Sequence, residues 1–276
     1  RPEDIDAHPG VVFDPLAHPI NPINQRILGD FEVTMADVQA QNESQFKAEY
    51  DLANTDRSVG ATLYGALAVR KDWAQVPVHL AFRGSAGQSF SVFQTGNVSV
   101  RLTGEANDSV CKSMHSGKTV IVPPEGVLYR PEENAIIGNC ALYGATGGTL
   151  YVYGQAGDRF AVRNSGATAV VEGTGLHACE YMTNGMVVIL GETSENVGAG
   201  MTGGVLYLAE DPGERINREY LAEDGLTEED WASLRLVLED YGRETGSARV
   251  AEWGLDWERV RVRMKKFVPV SVAGMG

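Results

Sequence analysis

The sequence predicts an all-β solenoid, a right-handed parallel β-helix of about six or seven coils with helical N- and C-terminal flanks. Three observations predict it. Glycines return at near-constant intervals, apolar residues alternate between them, and the alternation gives way to helical spacing only towards the ends. "GTLYVYG" begins at Gly148, "GATAVVEG" at Gly166, "GMVVILG" at Gly185 and "GVLYLAED" at Gly204, with spacings of 18, 19 and 19 residues, the length of one solenoid coil.

Residues 1–75 read as an acidic lead and capping helices. "MADVQAQNESQFKAEY" (35–50) is weakly helical and "SVGATLYGALAVRKDW" (58–73) more so. Residues 76–209 read as the β-helix. "VPVHLAFRGSAGQSFSVFQTG" (76–96) supplies the first coil, and from Gly96 onward Val98, Val100 and Leu102 alternate with Ser99 and Arg101. "GKTVIVP" follows from Gly117, and the next lead glycine, Gly148, comes 31 residues later. The surplus matches "PPEGVLYRPEEN" (123–134), an excursion from the coil, because its prolines cannot donate to a ladder.

Aligning the lead glycines places Leu150, Thr168, Val187 and Leu206 in one inward column and Val152, Val170, Ile189 and Leu208 in another. Three residues before each lead glycine stand Met114, Ala145, Arg163, Met182 and Met201, a largely methionine column that reads as core filler. Residues 210–276 read as a helical tail. Thr227 stands three residues before Asp230, a capping-box start, with Trp231, Leu234, Leu238 and Tyr241 on one helical face, and a second helix is expected within "SARVAEWGLDWERVRVRMKKF" (247–267). Solenoids need covered ends, and both flanks could cover them.

Composition narrows the function. The chain carries 23 Lys plus Arg against 37 Asp plus Glu, a net charge of −14, and such a surface repels nucleic acid and anionic lipid. No apolar run reaches the roughly 18 residues of a membrane span, and the opening "RPEDIDAHPG" lacks an apolar signal core, so a cytoplasmic protein is expected. Cys111, Cys140 and Cys179 lie 29 and 39 residues apart, without the CxxC spacing of zinc or iron–sulfur sites. "GATGGT" (144–149) and "GAGMTGG" (198–204) lack a phosphate-loop lysine and read as coil corners. No catalytic, cofactor-binding or metal-ligating residue is assigned.

One stretch concentrates polar residues: "RFAVRNSGATAVVEGTGLHACEYMTNG" (159–185). A hydrolytic grouping of His177 with Cys179 and Glu180 is awkward, since neighbours on an extended segment point to opposite faces. Arg159, Ala161 and Arg163 are expected to face out while Phe160 and Val162 face in, setting two planar donors on one surface. Arg159, Arg163, Glu172, His177 and Glu180 are therefore the candidates for contact with another domain.

Together "GSAGQSF" (84–90), "GEANDSV" (104–110), "NAIIGNCALYGATGG" (134–148), "RFAVRNSGATAVVEGTG" (159–175), "CEYMTNG" (179–185) and "GAGMTGG" (198–204) resemble the C-terminal β-helix (GXGXG) domain of the glutamate synthase large subunit. The resemblance departs at Cys111, Ser113, Ala178 and Asn184, where the family usually has glycine, and at Leu176, where it has an acid. It implies a structural β-helix packed against a glutaminase domain and an FMN and iron–sulfur synthase domain. Those domains would hold the cofactors and turn glutamine, 2-oxoglutarate and reductant into two glutamates, with no cofactor in this chain. The alternative is a separate scaffold subunit of a related oxidoreductase such as a formylmethanofuran dehydrogenase complex. A free-standing enzyme acting at an Arg163/Glu172/His177 surface is the third reading.

Overall fold

The computed structural model describes residues 21–41, 45–70, 72–73 and 75–274, so the acidic lead expected at the extreme N-terminus lies outside the described residues. The chain runs α1 (Pro22–Gln41), β1 (Phe46–Leu52), α2 (Ala61–Val69), β2 (Val78–Ala86), β3 (Val98–Ala106), β4 (Lys118–Val122), β5 (Ala135–Ile137), β6 (Thr149–Ala156), β7 (Ser165–Thr174), β8 (Thr183–Ile189) and β9 (Gly203–Leu208). It continues through β10 (Leu221–Asp224), α3 (Glu228–Thr245), α4 (Ala248–Trp253), α5 (Trp257–Arg263) and β11 (Lys265–Pro269). One sheet takes the order β1-β2-β3-β4-β6-β7-β8-β9-β11-β10, and β1 through β9 pair in parallel, winding a β-solenoid of about 7 turns.

The solenoid starts earlier than the glycine spacing suggests. The helical pattern around Met35 stops at Gln41, and Phe46–Leu52, with Phe46, Tyr50 and Leu52 buried, is a strand parallel to β2. The tail is also not wholly helical: β11 lies antiparallel on β9, β10 pairs with β11, and Phe267 is fully buried in the main core. This pair closes the last coil. At the other end Phe31 of α1 meets Phe46 and Trp73 edge to face at 5.3 and 5.2 Å.

Register corrects the inward columns. Leu150 pairs with Ala169, which pairs with Val187, which pairs with Leu206, while Val152, Val171, Ile189 and Leu208 form the next column. Thr168 and Val170 belong to the opposite face. The residue equivalent to Gly148, Gly185 and Gly204 is thus Ala167, and Gly166 precedes the corner by one position. The reason lies in the column beneath. Met114 and Met182 fill the space under Gly148 and Gly204, where a Cβ would meet their methyl groups at 2.6 Å. In the β7 coil the residue on this column is Asn164, not Arg163. Its buried Oδ1 accepts from the N–H of Gly166 (3.2 Å) and Ala167 (2.9 Å), and its Nδ2 donates to the Ala167 carbonyl (3.0 Å). A side-chain amide shapes that corner where glycine is absent.

Both faces of the sheet are buried over the later coils. The inner face forms the solenoid core, and the outer residues Val120, Tyr151, Val170, Val188 and Tyr207 pack beneath Trp231, Leu234, Leu238 and Tyr241 of α3. Thr227 caps α3 in a reciprocal box with Asp230, as its spacing predicts. Lys118 ties the far end of α3 to β4 through Asp240 (2.8 Å) and Glu244 (3.1 Å). No helix among the described residues is long and apolar enough to cross a membrane.

Candidate functional site

The segment Arg159–Arg163 is not an extended strand. Arg159, Ala161 and Arg163 have φ of 58°, 57° and 55°, and one coil later His177, Cys179 and Tyr181 have 63°, 60° and 53°. These left-handed residues recur at every second position and stack from coil to coil. Their N–H groups point alternately to either neighbour: Arg159 donates to Leu176 O (2.7 Å), Ala161 to Ala141 O (2.8 Å) and Arg163 to Glu180 O (2.8 Å). The corner thereby satisfies its backbone as a ladder would. Left-handed backbone is costly for side-chain-bearing residues, so the stacked hydrogen bonds hold a strained conformation in place.

This geometry exposes Arg159 and Arg163 and buries Phe160, Ala161 and Val162 together; Ala161 faces inward, against the expectation for an extended segment. Neither arginine makes an ion pair or side-chain hydrogen bond among the described residues. Instead the Arg163 guanidinium lies 5.8 Å from the centre of the Tyr181 ring.

His177 and Glu180 do come together. His177 Nδ1 is 3.5 Å from Glu180 Oε1 and 2.9 Å from Asn196 Nδ2, and Asn196 Oδ1 accepts from Asn217 Nδ2 at 2.8 Å. Cys179 faces the core, fully buried, and that burial pushes its thiol up to about 12, so it supplies no thiolate to His177.

Glu172 is separated from this group. It is fully buried on the face beneath α3 and α4, where Tyr241 and Ser247 hydroxyls each donate to Oε1 at 2.8 Å and Arg249 Nε stands 3.0 Å from Oε2. Its partners belong to this chain's own tail, so it is not available to another domain, and an Arg163/Glu172/His177 surface does not exist. Burial raises its affinity for a proton, against the two hydroxyls and the Arg249 charge, which lower it.

A second polar feature escaped the sequence reading. Asp108 Oδ1 accepts from Asn139 N (2.8 Å), Asn139 Oδ1 from Asp158 N (2.7 Å) and Asp158 Oδ1 from Leu176 N (2.8 Å), a ladder along one corner. Gly138, Gly157 and Gly175 make room for it, because a Cβ at any of them would strike the ladder's side-chain oxygens. The signal was present in the pairs Gly138–Asn139 and Gly157–Asp158. The ladder ends at Leu176, which has no acceptor to pass on.

The cysteines do not converge. Cys111 and Cys179 occupy equivalent inward corner positions three coils apart, with Leu142 and Ala161 between them, and Cys140 is on a different column. Among the described residues no group of three or more His, Cys, Asp or Glu is placed to hold a metal ion, and this thiol set does not fit an iron–sulfur cluster.

The family model described as the GXGXG motif matches residues 31–270. A ferredoxin-dependent glutamate synthase from Pyropia yezoensis is 44% identical over 241 residues, covering 84% of this chain and 16% of the relative. Ferredoxin-dependent glutamate synthase 2 from Synechocystis sp. is 44% identical over 253 residues, again with 16% of its own length matched. A glutamate synthase [NADH] from Schizosaccharomyces pombe is 40% identical over 254 residues, covering 90% of this chain and 12% of the relative. The chain spans about a sixth or less of the curated relatives it matches.

Proposed function

The chain belongs to the GXGXG family, and from that premise we propose that it is the structural β-solenoid of a glutamate synthase, holding a glutaminase part and an FMN and iron–sulfur synthase part in register. The observation that carries this reading is the 44% identity that runs across 84% of this chain yet touches only 16% of a glutamate synthase. The matched sixth is a β-solenoid, and the reaction's chemistry is assigned to the remainder of such an assembly. Glutamine hydrolysis by a thiol needs an accessible, activated thiolate. Cys111 and Cys179 run the other way, for burial pushes both thiols up to about 12. Three unpaired cysteines also suit a reducing, cytoplasmic setting.

The test is a pair of assays. The assembly containing this chain should form glutamate from glutamine and 2-oxoglutarate with a suitable reductant, while residues 1–276 alone should release no ammonia from glutamine and bind no flavin. Ammonia release by the chain alone, or an assembly without glutamate formation, overturns the reading.

A further inference from the structure

We propose that the corner ridge bearing Lys112, Tyr143, Arg159, Arg163 and Tyr181 receives a carboxylate-rich segment from another part of the assembly, an inference that rests on the scaffold reading above. The chain holds 37 acids against 23 bases, yet Arg159 and Arg163, both exposed, have no carboxylate partner among the described residues.

At φ of 58° and 55° both arginines stand at left-handed corner positions, and the column of Arg163 runs through Phe93, Ser113, Gly144, Tyr181 and Gly200.

The cations are also oriented, by ring faces and not by acids. Arg163 lies over the Tyr181 ring, which packs against Gly200, and the Lys112 ammonium is 5.6 Å from the centre of the Tyr143 ring. Such stacking leaves the hydrogen-bonding edge of a guanidinium free for a bidentate carboxylate. Between the two cations Gly144 leaves a notch, for a Cβ there would have only Ser113 Oγ at 4.0 Å as a neighbour. Lys112 and Arg163 sit on coils two strand spacings apart, about 10 Å. A loop or strand presenting two or more Asp or Glu side chains fits this spacing and the planar, bidentate donors that the arginines offer.

The test uses the intact assembly. Carbodiimide coupling should join Lys112 to an Asp or Glu outside residues 1–276, identified by peptide mass spectrometry. Phenylglyoxal should modify Arg159 and Arg163 at least tenfold more slowly in the native assembly than after unfolding in urea. Arg163→Glu should reduce the Lys112 cross-link at least tenfold, and Arg163→Gln should reduce it less. The footprint requires no variant, so misfolding of either one does not decide the matter. Coupling of Lys112 only to acids within residues 1–276, or arginines that react as fast in the native assembly as in urea, overturns the proposal. Failure of the scaffold reading is recognised separately, as an assembly that makes no glutamate whatever the cross-link shows.

Discussion

Glu172 Oε2 lies 3.0 Å from Arg249 Nε in a pair whose carboxylate has no solvent exposure, and this contact fastens the start of α4 to the middle of the solenoid. Beside this ion pair Arg249 Nη1 donates to the Leu190 carbonyl at 2.6 Å, so one guanidinium reaches two coils. The pair is a structural latch. Glu172→Ala removes one partner from Arg249 and from two hydroxyls, while Arg249 keeps Leu190 O and Glu210 and Tyr241 keeps Val152 O, so stability should fall by about 1–3 kcal/mol in chemical denaturation. A loss below about 1 kcal/mol would show that α3 and α4 are held mainly by their apolar face.

The same carboxyl has a pH signature of defined sign. Burial raises its pKa above the unfolded value, more than Tyr241, Ser247 and Arg249 lower it, so the folded chain binds this proton more tightly. Its contribution to stability is fully present below the unfolded value, near pH 4.3, and is lost as pH rises through the folded value. The stability advantage of wild type over Glu172→Gln should therefore narrow as pH rises from about 4. An advantage that widens over that range contradicts the assignment.

Gly185 and Ala167 occupy equivalent corners but tolerate exchange differently. Gly185 has φ of 96° and a Cβ there would strike the Ala167 carbonyl, with Asn164 Nδ2 at 2.8 Å. Gly185→Ala should cost about 1–2 kcal/mol or more. Ala167→Gly should cost about 1 kcal/mol or less. Thermal melting of the two variants checks the order, and equal losses would mean that register does not govern the corner.

Left-handed backbone at Arg163 predicts an inversion of the usual glycine penalty. Arg163→Gly should be more stable than Arg163→Ala by about 1 kcal/mol, because glycine alone adopts φ of 55° without strain. Were this corner extended, the alanine variant would be the more stable of the two.

Thiol chemistry offers a probe of the coils without mutation. Cys111 and Cys179 are fully buried, whereas Cys140 is half-buried. Under native conditions a thiol reagent should label Cys140 first, and Cys111 and Cys179 only as the chain unfolds. Early labelling of Cys179 would place it outside the core.

How much of this was legible before folding varies from residue to residue. The coil period, the inward alternation of Val98, Val100 and Leu102, and the cap of α3 by Thr227 and Asp230 are local patterns, and periods and caps are written within a few residues of one another. The left-handed corners were not legible. Alternating left-handed residues give the same two-residue periodicity as a strand, so Arg159 and Arg163 could be assigned to the surface while Ala161 was placed on the wrong side. Nor was the register of β7, because Gly166 is the obvious corner residue and only Asn164, folding its amide onto Ala167, transfers that role by one position. Strand Phe46–Leu52 was hidden by its 32-residue separation from its partner position on β2. The sequence by itself determined a coil of 18 or 19 residues and the apolar alternation within its strands; the tertiary structure alone decided that Glu172 faces Tyr241 and Ser247, 69 and 75 residues away, because a buried charge is defined by the partners that folding brings to it.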